Sequence, residues 1–410
     1  KVAGGVARRY LVGIHATPNA PTGRSTLSRR THAVCAFLPP HILRSIAENT
    51  DDPGLRERCH VALETSAQFR GARAAEQKTV VAEALISPAL RRTIYDAQRK
   101  TSLPGKLLRG EGAKPVADVA AGEAYDGAGV TYDFYSKVYG RNSVDGRGLP
   151  LDSSIHYGVH YTNALWNGKQ MIYGDGDGKL FNRFTESLDI IGHELTHGVT
   201  QHTAALVYQD QPGALNEHFS DVFGILVKQY ALKQTASKSD WLIGAGIFTN
   251  AVHGAAVRSM KAPGTAYDDK LVGKDPQPAL MKNYQAMTAD NGGVHVNSGI
   301  PNHAFYLAAT LLGGNAWTVA GRIWYDALTT LLKPKATFRD CALATAAAAA
   351  KRYGAKSEPE RAVVEAWKEV GIDLGAIATS GPRLAIADFE PPAPAAELPP
   401  FEHRPRRRAR

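Results

Sequence analysis

The residues in this chain best placed to do chemistry are His193, Glu194 and His197, within Ile190-Ile191-Gly192-His193-Glu194-Leu195-Thr196-His197. If the stretch is helical, positions four apart stack on one face and the two imidazoles aim at one point. Two converging imidazoles suit a zinc ion, and Glu194, turned by about 100°, can take a proton from water activated there. With 14 histidines in 410 residues, chance alone does not exclude such a pentad. A zinc ion prefers four ligands, and a hydrolytic site leaves one to water, so a third protein ligand must follow. Gly213-Ala214-Leu215-Asn216-Glu217-His218-Phe219-Ser220-Asp221 offers one. Glu217 and Asp221 lie four apart on a second predicted helix, so Glu217 can bind the metal while Asp221 holds a ligand imidazole through its other nitrogen. The rest of that helix, Ala214 to Val227, is largely apolar, which sets the pair apart from ordinary solvated carboxylates.

His193-Glu194-x-x-His197 followed by Asn216-Glu217-x-x-x-Asp221 resembles the thermolysin-like metallopeptidases, over roughly residues 90 to 375. Asn163-Ala164-Leu165-Trp166-Asn167-Gly168 resembles that family's substrate-binding edge strand, and Tyr173-Gly174-Asp175-Gly176-Asp177-Gly178 the hairpin before its zinc helix. Asp290-Asn291-Gly292-Gly293-Val294-His295-Val296-Asn297-Ser298-Gly299 resembles a later catalytic block. The resemblance implies an α+β, two-lobed fold, with a β-rich N-terminal lobe, an α-helical C-terminal lobe and the zinc helix between them. It also implies a zinc-dependent neutral endopeptidase acting on proteins or peptides, with one catalytic zinc on His193, His197 and Glu217 and Glu194 as general base. Asp221, Asn216 and Asp290 match supporting residues, Asp290 orienting His295. Tyr208 and His295 match the donors to the oxyanion. Asn163, Ala164 and Trp166 match the strand that binds substrate, and Arg258 matches an arginine that binds a substrate carbonyl. Phe181, Phe184, Ile190 and Val257 match the pocket for the residue after the cut bond. An apolar lining there selects Leu, Ile, Val or Phe, although each of the four reads equally well as core packing.

Calcium marks a departure from the family pattern. Asp189 and Asp240 remain at its double-calcium positions, but Lys228, Leu242 and Ala245 occupy the other acidic ones, and Ala255 replaces a further carboxylate. An ammonium group in the cage is incompatible with a hard cation needing many oxygen ligands. No calcium is expected at the usual sites, and Asp189 is expected to pair with Lys228.

The elements that must position these groups set the domain plan. At 410 residues and 44% hydrophobic content the chain can bury more than one core. We expect an N-terminal extension without fixed structure at 1–32, a propeptide with cleavable linker at 33–86, a β-rich lobe with the zinc helix at 87–203, an α-helical lobe at 204–374 and a Pro/Arg-rich tail at 375–410. Pro39-Pro40-His41 and Asp51-Asp52-Pro53-Gly54 each open a helix. This unit resembles the short propeptide of the family's protealysin branch, whose double proline blocks the cleft. Pro39 and Pro40 are the matching positions, His41 is a departure, and the Ala-rich run from Arg73 to Ser87 reads as the self-cleaved linker. Cys35, just upstream, carries a thiol that could ligate zinc in the precursor, a thiol with no such role being the alternative.

Arg92 to Asp96 alternates as a strand. Gly127 to Tyr139 reads as a helix, as do Asn302–Leu312, Ala316–Leu332, Thr337–Tyr353 and Pro359–Val370. Three widely spaced cysteines, Cys35, Cys59 and Cys341, argue against a disulfide framework. No apolar run approaches about 18 residues, so no membrane span is expected. Tyr10 to Ile14 is too short for the core of an export signal. Secretion is nevertheless implied by the resemblance, an intracellular precursor being the alternative, and the molecule is expected to be monomeric. Much of the +9 formal charge sits in the terminal arginines Arg404, Arg406, Arg407, Arg408 and Arg410, read as a solvated tail. Nucleic acid is not expected as a partner beyond a weak role for that tail. A binding protein that kept this fold but cut nothing would show damage at the metal or base positions, and none is visible.

Overall fold

The computed structural model describes residues 36–76 and 89–375, omitting the side chains of 70–76. Expectations for residues 1–32, Cys35, the linker beyond Glu76 and the tail after Gly375 lie outside the described residues.

The N-terminal unit is two helices. Pro39 is the extended N-cap of α1, Pro40–Asn49, and Pro40 takes its first turn, where a missing N–H costs nothing. Asp52 Oδ1 accepts from the main-chain N–H groups of Gly54 and Leu55 and so starts α2, Pro53–Glu76. This helix runs past Arg73, where a linker was expected, because the Ala, Arg and Glu there are good helix formers.

The N-terminal lobe is a five-stranded mixed sheet under one long helix. β1 (Arg92–Asp96), β2 (Lys106–Arg109), β3 (Leu151–Ile155), β4 (Ala164–Trp166) and β5 (Met171–Tyr173) lie in the order β2-β1-β3-β5-β4, which leaves β4 at an edge. β1 and β3 pair in parallel, as do β3 and β5, while β4 runs antiparallel to β5. α3, Val119–Tyr139, begins earlier than the expected Gly127, because the Asp118 side chain caps Ala121 N–H. The stretch after Tyr173 is a loop rather than a hairpin. Asp177 Oδ1 accepts from the N–H groups of Lys179, Leu180 and Phe181, and Phe181 bridges to Phe248.

The C-terminal lobe is helical. α4 (Leu188–Gln201) and α5 (Asp210–Leu232) pack side by side and are followed by α6 (Asp290–Asn297), α7 (Gly299–Leu312), α8 (Ala320–Asp326), α9 (Phe338–Tyr353) and α10 (Glu358–Glu369). Thr337 and Asp340 form a reciprocal capping box at α9, and Ser357 caps α10. The single helix expected over Ala316–Leu332 is instead α8 followed by a π-helical segment, Ala327–Leu331. Two short strands, β6 (Leu242–Ile243) and β7 (Arg258–Ser259), pair beside α5. α4 meets α5 at a pair of glycines. A Cβ on Gly192 would lie 3.2 Å from Gly224 Cα, and one on Gly224 2.6 Å from the Asp189 carbonyl oxygen. That approach brings the carboxylates of α5 against the imidazoles of α4.

Candidate active site

His193 and His197 project from one face of α4 with their Nε2 atoms 3.1 Å apart. Glu217 enters from α5, with Oε2 3.5 Å from His193 Nε2 and Oε1 3.6 Å from His197 Nε2. Among the described residues these three form the one His/Cys/Asp/Glu group whose ligand atoms, all within 4.8 Å of one another, could hold a metal ion.

The surroundings fit that use. His193 Nδ1 lies 2.8 Å from Asp221 Oδ1, and His197 Nδ1 lies 2.8 Å from Asn216 Oδ1. With the outer nitrogens donating, the Nε2 lone pairs face the trio. Ser220 Oγ also lies 3.1 Å from His197 Nδ1, a contact that spacing in the sequence does not signal. Glu217 Oε2 is buried without a hydrogen-bond partner among the described residues, an arrangement that is costly unless a cation completes it. Two imidazole nitrogens and one carboxylate form a donor set of the zinc type.

The electrostatics follow from burial and neighbours. Burial opposes the charge on Glu217, yet His295, His197 and His193 hold its pKa down to about 2. Burial lowers His197 to about 4. Glu194 is pushed well above the usual carboxylate range by burial, with Glu217 adding repulsion and the Trp166 N–H, 2.9 Å from its Oε2, opposing. Burial works against the Asp221 charge too, but Arg258 and His193 outweigh it and keep the carboxylate ionised.

A turn with four consecutive positive-φ residues, Asp290, Asn291, Gly292 and Gly293 (φ 53°, 50°, 83° and 75°), leads into His295. It folds Asp290 back so that Oδ2 accepts from His295 N–H at 2.9 Å and Oδ1 pairs with Nδ1 at 2.7 Å. Burial disfavours the His295 cation, but Asp290 and Glu217 outweigh it and raise the pKa. Its Nε2 lies 3.3 Å from the Tyr208 hydroxyl, which donates to Glu217 Oε1. The Tyr208 and His295 side chains therefore meet at the same carboxylate.

The cleft is lined by residues predicted to bind substrate, and it holds the chain's own N-terminal unit. Ala36 bridges antiparallel to Leu165 on the edge strand β4. Phe37 N–H donates to Ala164 O at 2.9 Å, Leu38 N–H donates to Asn163 Oδ1 at 2.8 Å, and Asn163 Nδ2 donates to Leu38 O at 3.3 Å. Arg258 donates from Nη1 to Phe37 O at 3.2 Å and grips Asp221 through Nε and Nη2, both at 2.8 Å. The Phe37 ring stands edge-on to His193 at 5.4 Å. A Cβ on Gly244 would come 2.9 Å from its Cζ and 3.1 Å from Val257 Cγ2, so ring and Val257 meet there. Phe181, Phe184 and Ile190 are fully buried, and Phe181 stacks on Phe184 at 6.4 Å.

Phe37 O accepts from Arg258 and Leu38 N–H donates to Asn163, and Pro39 and Pro40 follow directly as the N-cap and first turn of α1. Trp166 offers its main-chain N–H to Glu194, while its indole bonds Gln201 Oε1 at 3.2 Å and packs on Gly198, behind α4. His41, the departure noted above, has its Nε2 2.8 Å from the Tyr267 hydroxyl. At the other end of α4, Lys228 pairs with Asp189 at 3.3 Å and Asp240 at 3.1 Å and donates to Leu242 O at 2.8 Å, the ion pair expected from the substitutions there. Cys59 and Cys341 are free and buried.

Family models described as the thermolysin metallopeptidase catalytic domain and its alpha-helical domain match residues 82–201 and 204–372. An extracellular metalloprotease of Pectobacterium carotovorum subsp. carotovorum is 48% identical over 347 residues, covering 84% of this chain and 98% of that protein. Protease PrtS of Photorhabdus sp. is 44% identical over 82% of this chain and 92% of its own length. The solved precursor of protealysin, a metalloproteinase from Serratia proteamaculans, matches with a TM-score of 0.75 at 50% identity, over 82% of this chain and 99% of that one.

Proposed function

Since the chain belongs to the thermolysin family of metallopeptidases and is a metalloendopeptidase, we propose that it is a zinc-dependent neutral endopeptidase made as a self-inhibited precursor. The observation that carries the zinc reading is the buried trio His193, His197 and Glu217, whose inner nitrogens and orphan carboxylate oxygen face one another. A zinc ion held there would supply Lewis acidity and bring a water molecule's pKa toward about 7.

The chain's own groups do the rest. Glu194 takes the proton of the attacking water and passes it to the leaving amine, a role suited to a carboxylate whose pKa burial has raised. Tyr208 and His295 turn from Glu217 to the oxyanion as it forms, each good donor contributing about 3 to 4 kcal/mol. Asp290 keeps the His295 ring in line, and Asp221 and Asn216 fix the tautomers of the two ligand imidazoles. Asn163 and Ala164 bind substrate main chain and Arg258 a substrate carbonyl, as they bind Phe37 and Leu38 here. Cleavage before bulky apolar residues follows from the apolar place the Phe37 ring takes beside Val257.

The N-terminal unit, expected over residues 33–86 with its linker, acts as an intramolecular inhibitor, with Ala36 and Phe37 lying against the edge strand β4. The similarity to a protealysin precursor supports this reading, and the catalytic lobes run over 87–203 and 204–374. Cys35 would serve as a further zinc ligand in the precursor. Lys228 takes the place of calcium at the usual double site. The relatives named extracellular support secretion, and no helix among the described residues is long and apolar enough to cross a membrane. Hydrolysis of casein by the matured protein, lost on Glu194→Gln with zinc content unchanged, is the expected result. Casein hydrolysis by that variant at the wild-type rate would refute the assignment.

A further inference from the structure

We propose that Trp324, His218 and Asn302 are positioning residues for the metal site, setting zinc affinity through Asp221. The proposal rests on the zinc reading above. The indole N–H of Trp324 can only donate, and it lies 2.8 Å from His218 Nε2. That nitrogen must therefore accept, which puts the imidazole proton on Nδ1. His218 Nδ1 lies 2.8 Å from Asn302 Oδ1 and donates to it, so the Asn302 amide has its oxygen toward His218. Its Nδ2 is then left to donate to Asp221 Oδ2 at 2.9 Å. Flipping the amide would set its NH2 against the His218 N–H and its oxygen against a carboxylate, so each link admits one orientation.

Asp221 collects the result. Oδ2 accepts from Asn302 Nδ2 and Arg258 Nε, and Oδ1 from Arg258 Nη2 and His193 Nδ1. Four donors pin both oxygens, and the His193 proton is held on the nitrogen that faces away from the trio. Trp324, His218 and Asp221 are 0% exposed and Asn302 1%, so water cannot stand in for a missing link. The starting point is rigid as well. The Trp324 ring is parallel to Trp367 (7° between planes, centroids 6.3 Å apart) and edge-on to Phe305 at 5.0 Å. The chain of donors thus runs from α8 through α5 and α7 back to α5, and from there to the ligand on α4.

The test uses the full-length chain stripped of metal, with zinc itself as the probe and competition against a chromophoric chelator as the readout, alongside a thermal melt. Asn302→Leu should weaken zinc binding by roughly 10-fold, the low end of the cost of losing a partner that orients a metal ligand, because Asn302 acts on His193 through Asp221. Trp324→Phe keeps the aromatic packing and removes only the first donor. Lying further from the ion, it should cost roughly 3- to 10-fold, less than that cost. Thr345→Val is the control. Thr345 Oγ1 accepts from Trp367 Nε1 at 2.9 Å in the same core, outside the chain of donors to Asp221, and its loss should leave zinc affinity unchanged whatever it does to the melt. Zinc affinities of Trp324→Phe and Asn302→Leu equal to wild type, with lowered melting temperatures, would reduce the network to core packing and overturn the proposal. If Asn302→Leu does not fold, Trp324→Phe against Thr345→Val decides alone. A wild-type chain that binds no zinc would instead remove the premise, and the proposal with it.

Discussion

At one end of the α4–α5 pair Asp189 meets Lys228, and at the other Glu217 meets His193 and His197. Asp189 and Glu217 are both buried and both clusters join the same two helices, yet they are completed differently. The first contains its own cation. Lys228 satisfies Asp189, Asp240 and the Leu242 carbonyl, and burial of its ammonium is outweighed by the two carboxylates, which raise its pKa. The second holds an orphan carboxylate oxygen facing imidazole nitrogens whose protons are directed outward. A cluster that carries an ammonium serves folding, and one that presents lone pairs serves a bound ion.

That contrast can be broken from either side. The largest effect is expected at the catalytic end: His295→Ala should lower kcat by about 100- to 1,000-fold, the cost of one oxyanion donor, with zinc content and melting temperature close to wild type. A variant that lost its zinc would show that His295 holds the site together rather than acting in turnover. Lys228→Met should do the opposite. Stranding Asp189 should cost about 3 kcal/mol in unfolding free energy with kcat preserved, measured by urea titration and steady-state assay. Millimolar calcium should recover part of that loss in the variant and leave the wild type unmoved. Stabilisation of the wild type by calcium would contradict the replacement.

A third, smaller effect concerns the docked strand. Phe37→Ala should weaken the hold of the N-terminal unit by about 2 kcal/mol, the burial worth of one aromatic ring, and uncleaved precursor should then hydrolyse a peptide faster. Unchanged latency would mean the main-chain bonds to Asn163, Ala164 and Arg258 suffice. A fourth effect is one of pH. His41 is held to about 4, against an ordinary 6.5, chiefly by burial, with His295, Arg258 and Arg44 adding to the shift and Asp290 opposing it. The docked form therefore binds the proton less well than the released form. Docking is favoured in full above pH 6.5 and weakens as pH falls from 6.5 toward 4. The ratio of His41→Gln to wild-type latency, followed over that range, should rise as pH falls, and a flat ratio would remove His41 from the account.

Much of this is legible in local sequence. The His-Glu-x-x-His pentad and the Glu217/Asp221 spacing are helical-face arguments, and the helices expected over Thr337–Tyr353 and Pro359–Val370 are found at Phe338–Tyr353 and Glu358–Glu369. What stayed hidden was non-local or depended on backbone shape. Phe37 and Leu38 gain their meaning from partners on β4 and β7, and nothing in a three-residue segment announces which strand edge it will join. His218, Asn302 and Trp324 come from three helices, the first two 84 positions apart and the first and last 106 positions apart, so no period links them. The four positive-φ residues at Asp290–Gly293 are similar: the glycines are legible, but the return of Asp290 onto His295 is a consequence of the turn.

The central claim is that His193, His197 and Glu217 together hold one catalytic ion. It is tested most directly by the zinc content of purified wild-type protein and of Glu217→Gln after dialysis against a weak chelator. The account predicts one zinc per wild-type chain and almost none in the variant, with both folded. Zinc retained in full by Glu217→Gln, or absent from the wild type, would contradict it.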